Sequence, residues 1–293
     1  MYQFIESQQG EHSIALLCET MQVSRSAWYA WRTGASHCIG ISDMQQEAQV
    51  QTVFQAHRRR YGARRIVAEL QAQGIEIGYH RVRSIMKKQG LKAIQPRSFI
   101  PRTTDSRHSY PISPNLLLDR CMPSEANRVW IGDITYIPLY GGQWAYLAVW
   151  MDLYSRRIIG WHLADHMREA LVVSAFKKAL SLRRAVKGMV VHSDRGGQYA
   201  GKAFRKLLHN SKLMQSMTGP PGGRADNPYD NAFMESCFSR FKTELLEGGM
   251  FEDIQDAYTE IFEYIEMYYN PVRRHSSLQY LSPINFEAKA APT

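Results

Sequence analysis

Residues 128–139 read RVWIGDITYIPL, and this stretch decides the fold. β-Branched and aromatic side chains dominate it, which predicts a strand. Asp133 breaks the run, set among apolar neighbours that include Ile131 and Ile134. An acid in such surroundings is costly unless it is paired, protonated or bound to metal. The stretch therefore predicts an element and a site together. Working outward, Gly141-Gly142 supplies a turn, QWAYLAVWMDL (143–153) a second strand and RRIIGWHLA (156–164) a third. Strands joined by short turns predict an antiparallel meander. A helix over 169–184, a short strand GMVVHSD (188–194) and helices over 201–210, 231–246 and 252–269 follow. The order predicts an α/β domain over 125–288 with a mixed sheet flanked by helices.

Upstream the texture is helical and basic. Residues 12–33 read as two short helices around a turn, with Ser24 as N-cap of the second, a helix-turn-helix pattern. Residues 62–92 repeat the theme: Ile66, Val67 and Leu70 at helical spacing, a Gly-containing break, then YHRVRSIMKKQGLKA with Val82, Ile85 and Met86 facing inward. We read two small all-α regions, 1–50 and 51–95. A linker, 96–124, carries Pro96, Pro101, Pro111, Pro114 and Pro123, and its Arg97, Arg102 and Arg107 are placed to lie along DNA.

Charge points to the partner. Residues 54–107 hold 13 Lys or Arg against three acids, in a chain of 293 residues with net charge +9. So local an excess predicts a polyanion, and DNA suits a helix with one apolar stripe and a cationic remainder. The candidate DNA-binding residues are Arg58, Arg59, Arg60, Arg64, Arg65, Arg81, Arg83, Lys87 and Lys88. Cys18, Cys38, Cys121 and Cys237 are scattered with no C-x-x-C pair, which argues against a zinc finger or a disulfide framework. No apolar run is membrane-length and no signal peptide is evident, so the expected setting is cytoplasmic, with no membrane partner.

The acids carry the chemistry. Asp194 ends a strand in VVHSDRGGQY, and Glu235 lies in the helix DNAFMESCFSRFK. Met234, Phe238, Phe241 and Leu245 form that helix's buried stripe, and Glu235, Ser239 and Lys242 a parallel one beside it. Glu235 can thus look toward the sheet, and Lys242 can reach a phosphate at the same place. Three carboxylates suit hard divalent ions, Mg²⁺ or Mn²⁺. Two such ions roughly 4 Å apart serve phosphoryl transfer. Spacing alone leaves Asp152, Asp165, Asp226 and Asp230 as rivals; Asp152, which also follows a strand, is the strongest.

The motifs WIGDITYIP, YLAVWMDLYSRRIIGW, VVHSDRGGQYAGKAFRKLL, DNAFMESCFSRFKTEL and YYNPVRRHSSLQYLSP, in that order, resemble the integrase core of bacterial insertion-sequence transposases of the OrfB type. The resemblance covers nearly the whole chain. It implies a ribonuclease-H-like fold and a catalytic, metal-holding DDE triad on Asp133, Asp194 and Glu235, with the family's basic residue on Lys242. Asp152 falls on a family position outside the triad. Tyr269, Asn270, Pro271, Arg274, His275 and Leu278 are expected to be supporting structure and DNA contacts. Forty residues separate Asp194 from Glu235, a few more than is usual in the family, and TGPPGGRADNPYDN (218–231) reads as a flap. The implied activity is metal-dependent 3′-end cleavage and strand transfer of an insertion sequence. The implied partners are transposon-end and target DNA, further copies of the chain, and a fusion partner from an upstream frame. Two alternatives stand: a non-enzymatic helix-turn-helix regulator, and a ribonuclease-H-like nuclease that does not join.

Overall fold

Serines start two of the N-terminal helices. In the computed structural model, which describes residues 1–34, 41–95, 110–118, 122–219, 232–247 and 249–290 (the side chains of 41 and 42 excepted), α1 spans Tyr2–Gln8, α2 Ile14–Thr20 and α3 Arg25–Arg32. The Ser13 hydroxyl accepts from Leu16 N at 3.3 Å and the Ser24 hydroxyl from Ala27 N at 3.1 Å, each satisfying one helix-end donor. Ser24 is the cap expected from sequence. Ile5, Leu17, Cys18 and Trp28 form the small core beneath these helices. Then follow α4 (Ile41–Ala56), α5 (Ala63–Ala72) and α6 (Tyr79–Lys88). Helix α4 is not predicted by the sequence pattern and runs through residue 50, the boundary expected between the two all-α regions. Its apolar residues are spread around the helix, so no one-sided stripe announces it. Val82, Ile85 and Met86 of α6 are buried as expected.

The chain divides into two compact units, Met1–Arg59 with Glu69–Lys92, and Arg60–Ala68 with Ala93–Thr293. The second is built on a five-stranded sheet. Its strands are β1 (Val129–Pro138), β2 (Trp144–Asp152), β3 (Ile158–Ala164), β4 (Val190–Ser193) and β5 (Met214–Met217), in spatial order β3-β2-β1-β4-β5. The first three pair antiparallel, as the meander predicts, and β1–β4 and β4–β5 are parallel. Helices α7 (Glu169–Leu182), α8 (Gly197–Ala200), α9 (Lys202–Asn210), α10 (Ala232–Leu246), α11 (Ile254–Phe262) and α12 (Pro283–Ala290) complete it. The helix expected over 252–269 is α11, capped by Asp253, followed by a wider π-helical stretch, Glu263–Tyr269. Of the proline-rich stretch, residues 113–117 run beside β5: Met217 N donates to Pro114 O at 3.4 Å and Leu116 N to the Ser216 hydroxyl at 2.9 Å.

Alternation along the strands makes two cores. On one face Val129, Ile131, Leu147 and Val190 meet Met234, Phe238 and Phe241 of α10 and Ile261 of α11. On the other Trp130, Trp150 and Val191 meet Phe176 of α7 and Phe204 of α9. Each such buried side chain contributes on the order of 2 kcal/mol. Two glycines are required by close approach: a methyl on Gly132 would overlap the Trp150 ring, and one on Gly160 the backbone of α7. Among the described residues no helix is long and apolar enough to cross a membrane.

Candidate active site

The parallel register between β1 and β4 ends at Gly132 opposite Ser193, so Asp133 and Asp194 stand side by side where the two strands part. Alternation puts Asp133 with Ile131, and Asp194 with Val190 and His192. Both side chains therefore belong to the sheet face that α10 covers. Asp133 Oδ1 accepts from Ile134 N at 2.8 Å, and Asp194 Oδ1 from Gly196 N at 2.9 Å. The tight turn after Asp194 leads into α8, which carries Tyr199. Burial, reinforced by the negative charge of Asp133 and Asp194, holds this phenol well above its ordinary pKa. One buried hydroxyl thus senses both acids.

Glu235 occupies the first turn of α10 and is exposed. A carboxylate there is favoured by the helix dipole. Lys242, two turns on, is half-buried. Burial lowers its ammonium pKa while the charge of Asp133 opposes the shift, so its charge lies within reach of Asp133. The structure therefore brings Asp133, Asp194 and Lys242 to one region and sets Glu235 on the helix beside them. Among the described residues, no three His, Cys, Asp or Glu side chains form a ready metal-holding group.

Two of the four rival acids, Asp152 and Asp165, are among the described residues. Asp152 is fully buried and accepts three backbone N–H bonds, from Asn127 at 2.7 Å, Tyr154 at 2.9 Å and Ser155 at 3.3 Å. Burial raises its pKa against those bonds. It organises the turn between β2 and β3. Asp165 is exposed after β3. Asp226 and Asp230, with most of the expected flap, and Arg97, Arg102 and Arg107 lie outside the described residues. His192, which the sequence reading passed over, is buried, bonds the Ser216 hydroxyl through Nδ1 at 2.8 Å and has its pKa pushed by burial down to about 4.

The candidate DNA-binding cations divide by environment. Arg58, Arg59, Arg64, Arg83, Lys87 and Lys88 are exposed, Lys88 pairing with Glu47 at 2.7 Å. Arg81 is half-buried against Asp43 at 2.5 Å. Arg60 and Arg65 are engaged by protein: Arg60 Nε donates to Glu244 O at 3.1 Å, and Arg65 Nη1 is 3.8 Å from Glu244 Oε1. Arg274, taken from sequence as the supporting arginine, donates to Tyr280 O at 2.9 Å; the fully buried arginine is its neighbour Arg273, which the sequence reading did not single out.

The sequence matches the integrase core domain family over residues 123–221 and again over 235–290, and an HTH-like domain over 42–99. It is 38% identical over 293 residues to the transposase InsF for insertion sequence IS3A of Escherichia coli strain K12, covering 98% of each chain. It is 36% identical over 273 residues to the 31 kDa protein of insertion element IS600 of Shigella sonnei, covering 93% of this chain and 98% of that one. Among solved structures, a chain of the simian T-cell lymphotropic virus intasome in complex with the PP2A regulatory subunit B56 gamma superposes with a TM-score of 0.46 at 16% identity, over 77% of this chain and 70% of that one. The HTLV-2 integrase catalytic core domain in complex with magnesium gives 0.39 at 15% identity, over 56% and 98%.

Proposed function

Since this chain belongs to the insertion-sequence transposase family, with a ribonuclease-H-like integrase core and an HTH-like domain, we propose that it cuts the 3′ ends of an insertion sequence and joins them to target DNA. The observation that carries the chemistry is that Asp133 and Asp194 each lie one residue beyond the last β1–β4 pair, Gly132 with Ser193, on the face covered by α10. We assign the DDE triad to Asp133, Asp194 and Glu235. Their donor set is all oxygen, which suits a hard cation of the Mg²⁺ or Mn²⁺ type. Two such ions, when held there, would supply activation of an attacking oxygen and stabilisation of a leaving one.

The substrate's own atoms do the bond exchange. Water attacks the end phosphodiester, the bond to the 3′ oxygen breaks, and a 3′-OH is freed. That hydroxyl then attacks a target phosphodiester, forming one P–O bond as another breaks. No protein nucleophile is needed, and none is assigned. Asp133 and Asp194 fix the reacting phosphate's place from the sheet, Glu235 from α10, and Lys242 presents positive charge to a phosphate oxygen. The exposed cations of residues 54–107, Arg83 and Lys87 foremost, hold DNA phosphates, and α6 (Tyr79–Lys88) reads the element's end. Bringing two ends together requires more than one copy, and an upstream-frame partner joins the assembly. We read residues 125–288 as the catalytic domain, behind helix-turn-helix regions over 1–50 and 51–95 and a linker over 96–124.

The test is single-turnover nicking of an end-bearing duplex. Asp133→Asn, Asp194→Asn and Glu235→Gln should each abolish nicking while DNA affinity, read by fluorescence anisotropy, stays within a few-fold of wild type. Full nicking by any one of them overturns its assignment.

A further inference from the structure

The helix that carries Glu235 and Lys242 is anchored on its opposite side by a buried ion pair. Glu244 lies nine residues beyond Glu235, about two and a half turns, so it projects from the far side of α10. There it meets Arg273, which is 1% exposed. Arg273 Nε donates to Glu244 Oε2 at 2.7 Å and Nη2 to Oε1, a two-pronged fork. The Tyr264 hydroxyl donates to the same Oε2 at 2.8 Å. Burial pushes the Glu244 carboxyl upward, but Arg273, Tyr264 and Arg65 outweigh it and hold the group below its ordinary value. Burial, with Arg273 and three further arginines, drives His275 well below its ordinary value, and its Nε2 lies 3.3 Å from Arg273 Nη1.

A buried pair of this kind is costly to desolvate, and an apolar pair of equal volume is often at least as stabilising. What the fork adds is direction. The stripe Met234, Phe238 and Phe241 holds α10 to the sheet by contacts that tolerate a small roll or slide. Two parallel N–H···O bonds to one carboxylate do not. Arg273 is itself fixed, since it follows the π-helical turn at whose end the Asn270 side chain ties to both backbone groups of Ile158, at the start of β3.

We infer that Arg273 is a positioning residue: through Glu244 it fixes the rotation of α10 and so sets where Glu235 and Lys242 stand relative to Asp133 and Asp194. This rests on the triad reading above. The test compares the full-length protein on end-bearing DNA with three variants: Arg273→Lys, which keeps charge but loses the fork; Tyr264→Phe, which removes one bond to Glu244 and keeps the ring; and the double variant Glu244→Gln with Arg273→Met, which keeps an acceptor for Tyr264 and fills the arginine stem's volume. The readouts are the melting midpoint and Mn²⁺ affinity by titration calorimetry. The double variant and Arg273→Lys should each bind Mn²⁺ about tenfold or more weakly, the size typical of losing a group that orients a metal ligand. Tyr264→Phe should show a smaller weakening in the same sense. Wild-type Mn²⁺ affinity in the double variant with a cooperative melt, or in Tyr264→Phe should the others not fold, overturns the inference. Asp194→Asn separates the two claims. If it binds Mn²⁺ like wild type, the triad reading fails; if it loses Mn²⁺ while the double variant does not, only the positioning role fails.

Discussion

Replacing Asp152 with alanine leaves three backbone N–H groups, one buried and two part-buried, without their acceptor. Two of them, from Asn127 and Tyr154, reach an oxygen at 2.7 and 2.9 Å, and the third, from Ser155, at 3.3 Å. The two short bonds are worth about 2 kcal/mol each and the long one under about 1, so Asp152→Ala should cost about 5 kcal/mol. Asp152→Asn keeps the shape but turns an NH₂ toward one of the donors, for about 2 kcal/mol. Burial holds the folded-state pKa of Asp152 above its unfolded value. Its pH-dependent contribution is therefore full below the unfolded pKa, about 4, and declines as pH rises through the folded one. Asp152→Asn removes that decline. Urea unfolding followed by tryptophan fluorescence from pH 4 to pH 8 measures both effects. At temperatures where Asp152→Asn remains folded, it should still nick DNA. An Asp152→Asn protein with a wild-type unfolding midpoint and no nicking would make Asp152 a member of the chemistry, and would refute the division of labour drawn between it and Asp133.

Other consequences follow from the same packing. Gly132→Ala places a methyl against the Trp150 ring, so it should lower stability by about 1–3 kcal/mol, read as a fall in the melting midpoint; an unchanged midpoint would mean the ring is free to shift. Arg83→Ala with Lys87→Ala removes two exposed cations, so the slope of log affinity for duplex DNA against log salt should flatten by about two. Arg60→Ala should leave that slope unchanged and lower stability instead, because its guanidinium bonds Glu244 O and lies over the Tyr264 and Tyr268 rings. A slope that moved with Arg60 and not with Arg83 and Lys87 would reverse this assignment.

The strand at 128–139 was legible because β-branched and aromatic residues crowd it and an acid interrupts them. The meander followed from Gly141-Gly142 and the two runs beyond. Strand β5 was not legible: Met214–Met217 is four residues with a polar pair inside, and β4 recruits it as a strand. Helix α4 was missed because a helix without a one-sided stripe leaves no periodic signal. In the site, spacing alone nominates the acids without ranking them, and it is the family resemblance that sets Asp152 outside the triad. Asp133 and Asp152 both belong to apolar strands, and what separates them is three backbone donors from Asn127, Tyr154 and Ser155. Arg60 and Arg65 looked like part of a basic run because their carboxylate-bearing partner residue, Glu244, is some 180 residues away in sequence. Arg273 and Arg274 are adjacent and of one type, and only packing shows that the first is buried and the second is not.

In the proposed reaction the acids at β1, β4 and α10 support the exchange of phosphodiester bonds in DNA. The measurement is made with a duplex of the element's end, already cut to expose its 3′-OH, a supercoiled target and Mg²⁺. Joined strands on a denaturing gel with wild-type protein, and none with Asp194→Asn bound to the same DNA, are predicted. Equal joining by Asp194→Asn would remove Asp194 from the reaction, and cutting by the wild type that never yields joined product would make the protein a nuclease that does not join.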